Sequence, residues 1–210
     1  MNDFMIQMSK PIIGEEEIQA VNEVLKSGML SQGPKVRELE EKFARYCGVK
    51  YAVAFNSGTA AIHASLYSLG IQEGDEVITS PFTFVASANP ILMQGAKVIF
   101  ADIVEDDFNL SPLDVKRKIT DKTKAIIAID LYGQIFQYNE IKKIADENNL
   151  KILEDACQAI GAEQDGKKAG VFGEAAAFSL YATKNIMSGE GGVITTDSEE
   201  VMEKCKMFRH

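Results

Sequence analysis

From Tyr51 to the C-terminus, short apolar runs alternate with segments in which apolar residues recur every three or four positions. The runs are YAVAF, VITS, KVIFAD, AIIAIDL, KILEDA, AAAFSL and GGVITT. Runs of this length predict strands, and the spacing between them predicts amphipathic helices. Because the strands are apolar throughout and helices separate them, the pattern favours an α/β fold with a mostly parallel sheet sandwiched between helices.

Two helices are predicted before the first strand. The first covers residues 15–26, with acidic residues in its first turn and Gly28 just beyond its end. The second begins at Pro34 and stops at Gly48. Further helices are predicted from about residue 60, from 85 to 93, from about 112, from 138 to 148 and from about 199.

The composition is that of a folded chain with one domain. The 210 residues suffice for one large α/β domain, residues 1–210 with the N-terminal helical segment, and leave no room for a sizeable second one. Hydrophobic residues make up 46% and charged residues 25%, which is ordinary for a globular protein. The formal net charge is -9, without a long stripe of Lys and Arg, so we expect no nucleic-acid partner.

Three further features bear on location and chain limits. Cys47, Cys157 and Cys205 lack the spacing of zinc ligands or disulfide frameworks, so we expect buried, reduced thiols and no metal. No basic start precedes a long apolar run, and no stretch of about eighteen apolar residues occurs. We therefore expect a cytoplasmic protein without membrane contact. The chain ends at His210 without a turn signal, which favours a boundary within a longer protein.

The first segment with candidate chemistry is FNSGTAAIH, where a strand passes through Ser57, Gly58 and Thr59 into a helix. Such a turn offers free backbone N–H groups to an anion, and the glycine lets the backbone approach closely. It has neither the P-loop pattern nor the GxGxxG pattern. The segment indicates a phosphate cup or, equally well, a plain turn with a threonine cap.

The second segment is KILEDACQAIGA. An apolar strand places Asp155 at its carboxyl end, and Gln158 follows three residues later. A carboxylate there could pair with a protonated ring nitrogen of a cofactor and help the ring to act as an electron sink. The alternative is an ordinary helix cap.

The third segment is AFSLYATKNIMSGEGGVITT, with Lys184 between a strand and a glycine-rich turn. A lysine held among apolar groups becomes a nucleophile that can form a Schiff base. The alternative is a solvated loop lysine.

All three segments follow predicted strands, and ligands of parallel sheets bind beyond the carboxyl ends of the strands. Together they match the needs of pyridoxal 5′-phosphate (PLP): a phosphate cup, a carboxylate for the ring nitrogen and a lysine for the aldehyde. Phe84, in SPFTFVASA, could stack on the ring. It could also be an ordinary core phenylalanine.

The sequence also resembles the DegT/DnrJ/EryC1/StrS sugar aminotransferases, a branch of the fold type I PLP enzymes. The resemblance lies in SGMLSQGP, NSGTAA, SPFTFVASANPI, LYGQ, EDACQAIGA, and SLYATKN with GEGG. It implies the fold of a PLP-transferase large domain. It also implies roles for the phosphate-binding turn Thr59 and Ala60, the ring-stacking Phe84, the ring-nitrogen partner Asp155 with its neighbour Gln158, the phosphate contact Ser179, and the Schiff-base Lys184.

The sequence departs from the family pattern in three ways. Asp130 stands where many relatives have histidine before LYGQ, and Ala182 where many have proline. The first departure concerns substrate preference. Family chains are usually far longer and carry a small C-terminal domain that helps to close the site, so we expect that domain to be absent from this chain.

The function implied by the resemblance is transfer of an amino group from L-glutamate to a keto sugar, with the sugar linked to a nucleotide. Lys184 and Asp155 are the predicted catalytic residues, and a homodimer with shared active sites is the expected assembly. Relatives that remove a sugar hydroxyl instead have histidine in place of the lysine, so lysine favours aminotransfer. A PLP-dependent sugar dehydratase and a non-catalytic PLP-binding regulatory module are the alternatives.

Overall fold

A computed structural model describes residues 9–210. The helices are α1 (Glu15–Ser27), α2 (Pro34–Cys47), α3 (Gly58–Ser68), α4 (Asn89–Met93), α5 (Pro112–Lys118), α6 (Tyr138–Asn148) and α7 (Glu199–Arg209). The strands are β1 (Tyr51–Phe55), β2 (Glu76–Thr79), β3 (Lys97–Phe100), β4 (Thr123–Ile129), β5 (Lys151–Asp155), β6 (Glu163–Gln164), β7 (Lys167–Lys168), β8 (Ala175–Ser179) and β9 (Gly192–Thr196). Short 3₁₀ turns occupy Val85–Ser87 and Leu131–Gly133.

Seven strands form one sheet in the order β1-β9-β8-β5-β4-β2-β3. Strand β9 pairs antiparallel with both of its neighbours, β1 and β8. The other pairings of this sheet are parallel. Strands β6 and β7 form a separate antiparallel hairpin. The prediction of an α/β fold with a mostly parallel sheet is confirmed.

Helices cover both faces of the sheet. Successive strand residues point to opposite faces, so β5 sends Ile152 into one core and Leu153 into the other. The first core packs against α2, α5 and α6, and the second against α3, α4 and α7. This arrangement explains why the strands are apolar throughout.

The helix predicted over residues 85–93 is in fact two pieces. A 3₁₀ turn ends at Ser87, and α4 then begins at Asn89. Pro90 lies in the first turn of α4. Because proline has no N–H group, the hydrogen-bond ladder of a single helix cannot continue through this position, whereas the first turn of a new helix accepts it.

Helix α1 has the predicted bounds to within one residue, but its apolar stripe is not packed. Within the described range, 9–210, none of its residues is buried, and Ile18, Val21 and Leu25 are 47%, 59% and 57% exposed. The helix is held locally by Gly28, whose backbone is left-handed at the C-terminal end. No helix in residues 9–210 has the length and apolar character needed to cross a membrane.

Candidate active site

A cavity of about 560 Å³ opens beyond the carboxyl ends of β1, β5 and β8. The predicted site residues that line it are Gly58, Thr59, Phe84, Asp155, Gln158, Ser179 and Lys184. Segments that are up to 126 positions apart in the sequence, from 58 to 184, are thus brought to one place. The topology explains this, because parallel strands direct the loops that follow them to the same edge of the sheet.

The glycine turn after β1 leads into α3 one or two residues earlier than the sequence indicated. Ser57 is the N-cap, and its hydroxyl accepts a hydrogen bond of 3.1 Å from the Ala60 N–H. Thr59 is therefore not the cap. Gly58 and Thr59 lie in the first turn, where N–H groups have no partner within the helix. Ala60 is the predicted site residue that does not line the cavity, and its N–H group is already used by the cap.

Close packing beneath this turn requires glycine at two positions. A Cβ atom on Gly58 would lie 2.9 Å from the Ser179 Cβ and 3.1 Å from the Cys157 Sγ. A Cβ atom on Gly192, at the start of β9, would lie 2.2 Å from the Ser57 carbonyl oxygen. The turn thus lies directly against β8 and β9, which fixes its N–H groups relative to the rest of the cavity.

Asp155 ends β5 and is 5% exposed. Its Oδ2 accepts a hydrogen bond of 2.6 Å from the Ser87 hydroxyl, and its Oδ1 accepts one of 3.2 Å from the Cys157 N–H. No α-helix follows it in the described chain before α7, so the helix-cap alternative is wrong. The carboxylate is buried, receives hydrogen bonds and faces the cavity.

Phe84 is 70% exposed and lines the cavity, so the alternative of a core phenylalanine is wrong. It precedes the 3₁₀ turn, and its carbonyl oxygen accepts the Ser87 N–H at 3.0 Å. A large apolar ring exposed at a cavity is suited to covering one face of a flat ligand.

Lys184 is half-buried in the loop between β8 and β9, where its N–H donates to the Tyr181 carbonyl at 2.9 Å. It is the only cation among the described residues that line the cavity. Ser179 is buried, and its hydroxyl oxygen accepts the Tyr181 N–H at 3.3 Å, which leaves the hydroxyl proton for a ligand. The last residue of β8 and the loop that follows it therefore place a hydroxyl and an amine in the same cavity.

Gln158 holds a neighbouring loop in position. Its Oε1 accepts the Tyr132 N–H at 3.0 Å, and Tyr132 has a left-handed backbone with φ of 54°. That conformation is uncommon for a residue with a side chain. The amide nitrogen of Gln158 has no part in this bond and can serve a ligand.

Two further carboxyls lie on the opposite face of the sheet from Asp155. Asp130 and Glu154 are fully buried. Burial, together with the neighbouring Glu154 charge, raises the pKa of Asp130 well above its ordinary value, and burial raises the pKa of Glu154. The pair therefore retains a proton in the folded protein at a pH where exposed carboxyls are ionised.

The cysteines are protonated thiols. Burial raises the pKa of Cys47 to about 12 and that of Cys205 to about 11. Burial and then the Asp155 charge raise the pKa of Cys157. Cys157 lines the cavity and is only half-buried, unlike the other two, so the expectation of buried thiols holds for Cys47 and Cys205. Within residues 9–210, no cluster of three or more His, Cys, Asp or Glu residues forms a metal site.

Sequence reasoning did not find Thr83 and Ser87, which line the cavity next to Phe84. Ser87 contacts Asp155, which is 68 positions away in the sequence, and Thr83 contacts Ser87. The sequence feature that could have indicated them is their position on either side of Phe84, which was already a predicted site residue.

Comparison with known proteins gives consistent results. The chain is 40% identical over 207 residues to the GDP-perosamine synthase of Vibrio cholerae, covering 98% of this chain and 56% of the relative. It matches Helicobacter pylori PseC, an aminotransferase of pseudaminic acid biosynthesis, with a TM-score of 0.91 and 36% identity over 97% of this chain and 55% of that one. It matches the PLP form of Streptococcus pneumoniae Spr1654 with a TM-score of 0.91 and 31% identity, over 97% and 56%.

The chain spans about half the length of the curated relatives that it matches. The sequence profile of the DegT/DnrJ/EryC1/StrS aminotransferase family matches residues 11–210, which is nearly the whole chain. This chain belongs to the DegT/DnrJ/EryC1/StrS aminotransferase family.

Proposed function

We propose that this chain binds PLP in the cavity and serves transfer of an amino group to a keto sugar. The observation that carries the proposal is that Lys184 and Asp155 line the same cavity, which the exposed ring of Phe84 also lines. A nearby amine, a buried carboxylate and an apolar ring are the groups that PLP chemistry requires.

The residues fit the cofactor on structural grounds. The turn at Gly58 packs directly against Ser179 and Cys157, and its helix N-terminus leaves N–H groups in the first turn that can meet a phosphate. Asp155 is held as a hydrogen-bond acceptor by Ser87 and by the Cys157 N–H, which suits a protonated ring nitrogen. The Spr1654 relative, solved in its PLP form, supports the same cofactor here.

In this proposal the cavity residues divide the work. Gly58, Thr59 and Ser179 hold the phosphate, Phe84 covers the ring and excludes water from that face, and Lys184 binds the aldehyde. When bound, PLP supplies an electron sink for the electrons released at the substrate carbon. With PLP bound, the Lys184 amine would serve as the base that moves a proton from one carbon to another. Asp155 would accept a hydrogen bond from the ring nitrogen.

The amine donor and acceptor are further parts of the proposal. L-glutamate as the donor rests on the family resemblance alone, and a nucleotide-linked sugar as the acceptor is supported by the name of the GDP-perosamine synthase relative. A homodimer with shared sites is also proposed. Phe82 and Phe108, whose rings contact each other, and Tyr132, whose N–H group bonds Gln158, are exposed aromatic residues that a second copy would cover. The single domain and the cytoplasmic location remain predictions from the sequence.

The first experiment locates the attachment site. PLP is added to the 210-residue protein, the mixture is reduced with borohydride, and peptides are weighed. We expect the added mass on the peptide with Lys184, and none in Lys184→Ala. Lys168→Ala is the matched control, because this half-buried lysine lies over the Tyr46 ring, away from the cavity. Added mass on another lysine would refute the site.

The second experiment separates the alternatives. Addition of L-glutamate to the PLP-loaded protein should convert the cofactor to its pyridoxamine form, which absorbs at shorter wavelength. A protein that binds PLP at Lys184 without this conversion supports the non-catalytic alternative. A keto sugar nucleotide that loses oxygen instead of gaining nitrogen, measured by mass spectrometry, supports the dehydratase alternative.

A further inference from the structure

The hydroxyl groups of Thr83 and Ser87 form a chain that ends on Asp155. The Ser87 hydroxyl lies 2.6 Å from the Asp155 Oδ2, and the Thr83 and Ser87 hydroxyl oxygens are 2.9 Å apart. Ser87 is 1% exposed and Asp155 is 5% exposed, so water does not compete freely for these bonds. These hydrogen bonds connect the segment after β2 to the end of β5.

The direction of the bonds follows from the number of protons available. An ionised carboxylate can only accept, so Ser87 must use its single proton on Asp155. The contact between Thr83 and Ser87 therefore has Thr83 as the donor. A distance of 2.6 Å fits a hydroxyl that donates to a charged oxygen. The Thr83 hydroxyl thus orients the Ser87 hydroxyl, which in turn donates its hydrogen bond to Asp155.

Asp155 is left with acceptor capacity for a ligand. Oδ2 accepts from Ser87 and Oδ1 accepts from the Cys157 N–H, one bond each. A carboxylate has about two acceptor positions on each oxygen. Both partners donate, so each bond uses one acceptor position of the carboxylate. The remaining positions can meet an N–H donor in the cavity.

The same turn also places the aromatic ring. Ser87 closes the 3₁₀ turn by donating its N–H to the Phe84 carbonyl, and residues three apart lie on one side of such a turn. The turn therefore fixes the backbone of Phe84 relative to Ser87, whose hydroxyl bonds Asp155.

We propose that Ser87, oriented by Thr83, is a positioning residue that holds the Asp155 carboxylate as the acceptor for the ring nitrogen of PLP. The inference rests on the proposed function. Charged and titratable groups near Asp155 are Cys157 and Lys184 on the cavity side, and Asp130 and Glu154 on the other face of the sheet. All of them are unchanged by a substitution at Ser87.

The test uses the protein loaded with PLP that carries ¹⁵N in the ring, and follows the ¹⁵N chemical shift against pH. In Ser87→Ala we expect the midpoint of ring-nitrogen deprotonation to fall by about one pH unit, because the carboxylate is no longer held toward the ring nitrogen and stabilises its proton less. The rate of the glutamate half-reaction should fall roughly 10-fold. Thr83→Val should give a smaller shift in the same direction.

Ser68→Ala is the matched control, because Ser68 is a buried serine that donates to the Ser65 carbonyl at 2.8 Å, away from the cavity. It should leave the midpoint unchanged, and Ser87→Thr, which keeps the hydroxyl, should restore it. In the Asp155→Asn background, Ser87→Ala should have no further effect. If Ser87→Ala does not fold, Thr83→Val still tests the positioning role of Ser87, because it removes the hydroxyl that orients Ser87.

The outcomes separate this inference from the proposed function. Attachment at Lys184 with equal midpoints in wild type, Ser87→Ala and Thr83→Val would overturn the role of Ser87 and leave the function intact. Lower thermal stability without a shifted midpoint would make Ser87 a structural residue only. A wild-type protein that does not attach PLP at Lys184 would overturn the function and this inference together.

Discussion

The buried carboxyl pair predicts how stability depends on pH. Glu154 accepts backbone N–H groups of Gly170 at 2.6 Å and Phe172 at 2.7 Å, whereas Asp130 accepts only that of Phe136 at 3.1 Å. No N–H or O–H group of the described chain donates to the Asp130 Oδ2. The negative charge is therefore better stabilised on Glu154, and the shared proton resides on Asp130.

The sign and size of the effect follow from linkage. The pKa of Asp130 is raised in the folded protein, mainly by burial, so the folded state binds one more proton than the unfolded state over a range of pH. The corresponding stability is fully present below about pH 4, the ordinary range for aspartate, and is lost as pH rises toward the folded pKa. Within that pH range the free energy of unfolding should fall by roughly 1.4 kcal/mol per pH unit.

Asp130→Asn imitates the protonated acid, because its amide can donate to Glu154 and its oxygen can accept the Phe136 N–H. The amide in this variant has no carboxyl proton to lose, so the stability of the variant should not fall with pH as that of wild type does. The difference in free energy of unfolding, variant minus wild type, should therefore increase as pH rises from 5 to 8. Urea unfolding followed by circular dichroism at several pH values measures this. The exposed Asp106→Asn is the control. Parallel curves for wild type and Asp130→Asn would show that Asp130 is not the proton carrier.

Three other substitutions test the site. Asp155→Asn should keep attachment at Lys184 but slow the glutamate half-reaction at least about 10-fold, since the ring nitrogen loses its anionic partner; an unchanged rate would contradict that role. Gly58→Ala should lower the free energy of unfolding by about 1–3 kcal/mol, because its Cβ would lie 2.9 Å from that of Ser179. Unchanged urea unfolding would disprove this contact. Phe84→Ala should weaken PLP binding about fivefold, by loss of stacking worth about 1 kcal/mol, and equal affinity in a fluorescence titration would exclude the stacking role.

Much of the fold could be predicted because its signals are local. The alternation of apolar runs and helical spacing predicted the sheet, and residues 138–148 form the expected helix at the expected bounds. Gly28 and Gly48 mark the ends of α1 and α2 through their left-handed backbones. The split at Pro90 was missed, although the missing N–H of proline is also a local signal.

Other features depend on contacts that no local pattern encodes. Thr83 and Ser87 are ordinary hydroxyl residues until the fold places them beside Asp155, 68 positions away from Ser87. The pattern of α1 predicted a helix with a face to bury, but the described chain does not cover that face. Periodicity shows which side of a helix is apolar and gives no information about its partner.

The choice between Glu154 and Asp155 shows where sequence reasoning needs the structure. Both are acids at the end of one strand, and neighbouring strand residues point to opposite faces, so only one of them can face the cavity. The register pairs Asp155 with Ile129 on β4 and with Ala177 on β8, and places its side chain on the α3 side of the sheet with Leu153. A shift by one residue would exchange the two acids. It would leave Glu154 at the cavity and bury Asp155 where Glu154 now receives two backbone N–H groups.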